Sequence, residues 1–226
     1  MIINPKKLFQ PLFVFLLLAF GLQQFSGQEK PPFWQDIENF KKLDLQNPPK
    51  EGSILFVGSS SFTMWTDVND YFPGKEIINR GFGGSSLWDL NFYSDELLKP
   101  YKPRQIVIYC GENDFAANEK LKPRQVFNRY KNFYREIRKY YPNIPVAYVS
   151  IKLSPSREHL WPKFVAANTM IERFIEKQPN AEYIDITKIM NDSSGKTRRD
   201  LFLEDMLHMK PAGYQLWKTE MEPYLK

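Results

Sequence analysis

The sequence predicts an α/β protein of three layers, with helices on both faces of a five-stranded parallel sheet. Three observations carry that expectation. Apolar runs rich in β-forming residues recur five times between residues 53 and 186. Stretches with helical spacing separate most of them, and one more follows the last. The runs are apolar almost throughout rather than alternating, as expected of strands covered on both faces. Five such strands in about 175 residues fit a doubly wound, flavodoxin-like layer, in which ligands bind past the carboxyl ends of the strands.

Taken in order, the amino terminus comes first. Lys6 and Lys7 precede an apolar run over 8–22, and a polar stretch follows. This is the pattern of a secretory signal, assigned to residues 1–27. Ala19-Phe20-Gly21 has the small-x-small form of a cleavage site, and Ser26-Gly27 is a second candidate. The run falls short of the roughly 20 residues a bilayer span needs. No cysteine follows it to carry a lipid. The expectation is export to the periplasm or the cell exterior, with no stable membrane span after processing. Residues 28–52 read as an extension bounded by Pro31-Pro32 and Pro48-Pro49. Phe33, Trp34, Ile37 and Phe40 give it a short amphipathic helix.

Residues 53–226 read as one domain. A strand is expected over 53–57, a short helix over 62–71 and a second strand over 76–79. A helix follows over 87–98, stopping before Pro100. The run 105–110 is the most apolar of the five and ends at Gly111. The helix over 123–141 opens on Pro123, which suits a first turn, and carries one apolar stripe. Strands over 145–150 and 182–186 flank a helix over 164–177, and a helix over 211–224 closes the chain.

Bulk properties exclude several classes. Hydrophobic content is 42% and charged content 25%, ordinary for a globular chain and too apolar for wholesale disorder. Without Lys6 and Lys7, 29 basic residues face 26 acidic ones, a balance of +3. The basic residues are scattered, and without a concentrated patch no nucleic-acid partner is expected. The single cysteine, Cys110, excludes an intrachain disulfide, and no Cys/His cluster offers a metal site. Cys110 lies in an apolar run and reads as a small buried thiol.

The chemistry collects where the strands end. The first strand runs into Gly58-Ser59-Ser60-Ser61, the second into Asn79 through Ser85, and the third into Gly111-Glu112-Asn113-Asp114. Asp205 and His208 precede the last helix. Acyl transfer needs these parts: a hydroxyl, an imidazole to take its proton, and a carboxylate to orient that imidazole. It also needs N–H donors aimed at the oxyanion. Positions i and i+3 share a face over one helical turn, so Asp205 can reach His208. The backbone at Gly84, the side-chain amide of Asn113 and the amide of Ser60 can donate.

These blocks resemble the SGNH hydrolases, the GDSL-type esterase and lipase superfamily, and are most similar to its platelet-activating-factor acetylhydrolase-like branch. The likeness runs from about Ile54 to Trp217. Gly58-Ser59-Ser60 matches the nucleophile block, Asn79 to Gly84 the second, Gly111-Glu112-Asn113-Asp114 the third, and Asp205-x-x-His208 the last. The resemblance implies Ser60 as nucleophile, His208 and Asp205 as its partners, and Ser60, Gly84 and Asn113 as the oxyanion hole. It implies no metal or organic cofactor. Ser59 replaces the aspartate usual beside the nucleophile, and Ser85 another frequent aspartate.

The expected function is a secreted serine esterase acting on short acyl or acetyl esters, with a small-molecule or carbohydrate ester as substrate. A lipase or lysophospholipase-type acylhydrolase, and a non-catalytic glycan-binding protein on the same fold, are the alternatives. Other residues receive plainer expectations. Trp65 and Trp88 pack in the core, Asp114 fixes its loop, and His159 is a surface or structural histidine. Asp185 is a weak rival to Asp205, and Arg157 and Trp161 are placed to line the site.

Overall fold

The computed structural model describes residues 29–226, so the signal segment assigned to 1–27 lies outside the described residues. Phe33–Lys226 form one compact unit. Its sheet is built of β1 (Ile54–Gly58), β2 (Ile77–Gly81), β3 (Gln105–Tyr109), β4 (Val146–Val149) and β5 (Ala181–Ile184). All neighbours pair in parallel, in the order β2-β1-β3-β4-β5. The predicted fold class is the one observed.

Burial explains the order. Every residue of β1, β3 and β4 is buried, whereas the edge strands β2 and β5 are partly open. Side chains alternate between two cores. Leu55, Val57, Ile106, Ile108 and Tyr148 enter one, and Ile54, Phe56, Val107, Tyr109 and Val149 enter the other. Each fully buried aliphatic or phenyl side chain contributes roughly 1.5–3 kcal/mol, so the sheet cannot shift register by one residue without inverting both cores.

The helices in chain order are α1 (Trp34–Gln46), α2 (Ser60–Thr63), α3 (Val68–Tyr71), α4 (Leu87–Phe92), α5 (Ser94–Leu98), α6 (Glu112–Ala117), α7 (Pro123–Tyr140), α8 (Trp161–Ile175) and α9 (Pro211–Met221). On α7 the stripe Val126, Tyr130, Phe133, Tyr134 and Ile137 is buried. Two predicted helices are each broken in two. The helix expected over 62–71 stops at Thr63, because Asn79 Nδ2 captures the carbonyls of Phe62 at 2.6 Å and Trp65 at 3.4 Å. Trp65 turns fully into the core against Tyr214 and Trp217. The helix expected over 87–98 breaks at the buried Tyr93. It opens on a capping box between Ser86 and Asp89.

Trp88 departs from expectation. The core side of α4 is Leu87 and Leu90, and Trp88 faces outward, 51% exposed. It stacks on Phe92, one turn away, with 5.5 Å between ring centroids.

Gly58 sets the end of β1. A Cβ there would lie 2.0 Å from the carbonyl oxygen of Tyr109, on the neighbouring strand. Only a glycine lets the chain turn this close to β3. Gly58→Ala is therefore expected to cost about 3 kcal/mol, measured as a lowered urea midpoint at an unchanged m-value.

Candidate active site

The turn that carries Ser60 is held at both ends. The Ser59 N–H donates to Tyr109 O at 3.0 Å, and the Ser59 carbonyl accepts from Phe62 N at 2.9 Å and Thr63 N at 3.2 Å. Its three serines have different surroundings. Ser59 is buried and its side chain caps nothing. Ser61 is buried, with Lys152 Nζ 3.3 Å from its Oγ and the Tyr214 hydroxyl donating to its carbonyl at 2.9 Å. Ser60, the first residue of α2, is partly open, and its Oγ lies 3.0 Å from His208 Nε2. At that first helical position the N–H has no intrahelical acceptor.

The histidine turn is not the helical turn the spacing suggested. Met206 sits at φ +53° and the segment forms a compact loop. Asp205 builds it: Oδ1 accepts the N–H groups of Leu207 at 2.9 Å and His208 at 3.0 Å, and Oδ2 meets His208 Nδ1 at 2.6 Å. An Asp side chain folding back on its own backbone accounts for the spacing. Burial pushes the Asp205 carboxyl up, but the N–H groups of His208 and Leu207 and the imidazole outweigh it and bring it down to about 2. Asp185 is occupied elsewhere, accepting from Thr187 N at 2.9 Å and Thr187 Oγ1 at 2.6 Å.

Two more loops close the site. Gly84 adopts φ +83°, a left-handed conformation that favours glycine. Asn113 donates one amide hydrogen to Ser85 O at 2.9 Å. An amide carries two such hydrogens, so a second donor remains on Nδ2. The fully buried Ser85 joins the loops, because its Oγ also donates to Gly58 O at 3.2 Å. Asp114 fixes its loop as expected, accepting from Leu87 N at 2.8 Å and Arg129 at 2.7 Å. Ser60, Gly84, Asn113 and His208 thus line one cavity of about 350 Å³, with Met64 and Leu207 among its apolar walls.

Beneath this floor lies a charged cluster that sequence reasoning missed. Lys152, 1% exposed, donates to Glu112 Oε2 at 2.6 Å and to the Tyr109 hydroxyl at 3.1 Å. Ser154 Oγ donates to Glu112 Oε1. Burial works against both charges. It draws the Lys152 ammonium below the usual lysine range, whereas at Glu112 the Lys152 and Arg157 cations outweigh it and hold the carboxyl low. A lysine within the apolar stretch Val149–Leu153 was the available signal.

Of the other candidates, Arg157 lines the cavity. Trp161 lies elsewhere, its indole donating to Ser154 O at 2.9 Å and its ring lining a separate cleft. His159 is at the surface beside Glu119. Among the described residues, no group of three or more His, Cys, Asp or Glu side chains stands together as a metal site would require. No described helix is long and apolar enough to cross a membrane.

The profile of the GDSL-like lipase/acylhydrolase family matches residues 56–216, a stretch that carries every block described above. The chain belongs to that family. As a member of the GDSL-like acylhydrolases it shares their fold with solved structures of low sequence identity. A Streptococcus pneumonia protein assigned as a platelet activating factor is 21% identical, with a TM-score of 0.73 over 85% of this chain and 92% of its own. A GDSL-like lipase of Bacteroides thetaiotaomicron is 18% identical, with a TM-score of 0.70 over 84% and 96%. A family 3 carbohydrate esterase of Clostridium thermocellum is 16% identical, with a TM-score of 0.59 over 77% and 95%. No curated protein sequence matches the chain.

Proposed function

We propose that this GDSL-like acylhydrolase is an exported serine esterase that removes short acyl groups, acetyl foremost, from a small-molecule or carbohydrate ester. The observation that carries the reading is the line of contacts Ser60 Oγ to His208 Nε2 at 3.0 Å and His208 Nδ1 to Asp205 Oδ2 at 2.6 Å. Ser60 attacks the ester carbonyl while His208 takes its proton. Asp205 accepts from Nδ1, which leaves Nε2 free as the base and stabilises the imidazolium. The Ser60 and Gly84 amides and the Asn113 side chain receive the oxyanion. His208 then protonates the leaving alcohol, and water enters by the reverse path to release the acid and restore Ser60.

The cavity of about 350 Å³ favours a short acyl group over a long chain. Carbohydrate and acetyl esterases among the similar structures support the same choice. Export rests on the pattern of residues 1–27.

A serine-directed phosphonate tests the reading. Stoichiometric labelling, mapped to Ser60 by mass spectrometry, is the expected result. A folded protein that takes no label is a binder on this fold and not an esterase.

A further inference from the structure

We propose that Arg157 forms a subsite for a carboxylate on the substrate, beside the scissile ester. The inference rests on the esterase reading above and extends it to the substrate's chemistry.

Among the residues lining the cavity, Arg157 is the only one with a permanent charge, and no carboxylate lines it. Asp205 is tied to the imidazole through one oxygen and to two backbone N–H groups through the other. The side chain is placed by its turn. Arg157 falls in a short 3₁₀ segment, Pro155–Leu160, and departs from helical angles at φ −117° and ψ 27°. The adjacent Ser156 N–H donates to Met206 O at 3.0 Å, which fastens this turn to the loop bearing His208.

The guanidinium lacks a full partner inside the protein. Among the described residues Glu112 is its one ion-pair partner, with Nη1 3.5 Å from Oε1, and Nη1 makes no hydrogen bond although it is buried. Glu112 is already committed: Lys152 and Tyr109 hold one oxygen and Ser154 the other. Glu112 therefore steadies Arg157 by charge without saturating it. Nη1 is turned inward against Glu112, so the donors left for a ligand are those of Nε and Nη2, which make no hydrogen bond among the described residues and are not buried. That edge of the guanidinium, at the cavity wall, suits a planar acceptor. A carboxylate answers it with two parallel hydrogen bonds. A neutral ester of the same size leaves those donors unmatched, and a cationic one is repelled.

The carboxylate can belong to the alcohol portion or to the acyl portion, and two probes separate these. Hydrolysis of phenyl acetate is compared with that of 3-acetoxybenzoate, anionic on the alcohol side, and of monophenyl succinate, anionic on the acyl side. The readout is the ratio of kcat/KM for each anionic ester to that of phenyl acetate. One ratio is expected to exceed unity and to fall by about tenfold or more in Arg157→Gln, the size of a lost charge-assisted pair. The probe that responds names the side. Arg157→Lys keeps the charge but loses the fork, so its ratio falls between the two, and it carries the test if Arg157→Gln does not fold. Ratios unchanged by substitution, with all three esters slowed alike, make Arg157 a brace for Glu112 and overturn the subsite. If the folded wild type hydrolyses none of the esters, the esterase reading itself fails, and the subsite with it.

Discussion

Ser60→Ala is expected to lower kcat for a short-chain aryl ester by about 10⁴–10⁶-fold, the scale seen when a serine nucleophile is removed from an intact site. The substitution deletes one oxygen whose hydrogen-bond contact is His208 Nε2. It leaves Gly84, Asn113 and the cavity walls in place, so KM for the ester should change little and the urea midpoint should hold. The residual rate comes from the oxyanion donors and from binding alone. The neighbours supply the control. Ser59→Ala removes a hydroxyl that caps nothing and should retain most of the activity. Turnover that survives in Ser60→Ala, or disappears in Ser59→Ala with the fold intact, contradicts the assignment of the nucleophile.

The second large effect falls on stability. Glu112→Gln leaves Lys152 as a buried cation without its counter-ion, and removing one partner from a buried pair costs about 3–5 kcal/mol. For a domain of this size that lowers Tm by roughly 6–20 °C. The lysine cannot escape to water, because it is 1% exposed and lies between Ser61, Tyr109 and Glu112. Lys152→Met strands the carboxylate instead, softened by Ser154, Tyr109 and Arg157. The double variant Glu112→Gln/Lys152→Met should recover part of the loss, since it strands neither member of the pair and leaves only Arg157 without its ion-pair partner. A double-mutant cycle by chemical denaturation measures the coupling. Strictly additive losses would show that the pair does not act as a unit.

These two predictions divide between what sequence reading reached and what it missed. The three central strands were legible because each is a short apolar run buried on both faces. The partly open edge strands showed through shorter apolar pairs, Ile77-Ile78 and Tyr183-Ile184. Ser60, Gly84, Asn113, Asp205 and His208 were singled out because site chemistry gathers at strand ends, and the structure places four of them around one cavity with Asp205 behind the imidazole. Other features were set by contacts that no local pattern encodes. Asn79 ends the helix of residue 63 from the next strand. Asp205 reaches His208 through a backbone-capped loop and not along a helical face, so the expected contact is made by a different geometry. Trp88 points outward because Leu87 and Leu90 decide which side of α4 is inside, and composition alone does not choose between them. Glu112 and Lys152 are 40 residues apart and meet only when β3 and β4 pair.

The hydrogen bond between Ser60 and His208 spans 148 residues of chain. Closing a loop of that length carries a large entropic cost that local contacts cannot repay. In the folded chain the two are brought together by the paired central strands and by the carboxyl-terminal helix, whose Tyr214 hydroxyl donates to the carbonyl of Ser61 beside Ser60. All five strands precede residue 185, so a nascent chain still missing its final twenty residues holds every strand of the sheet but not His208.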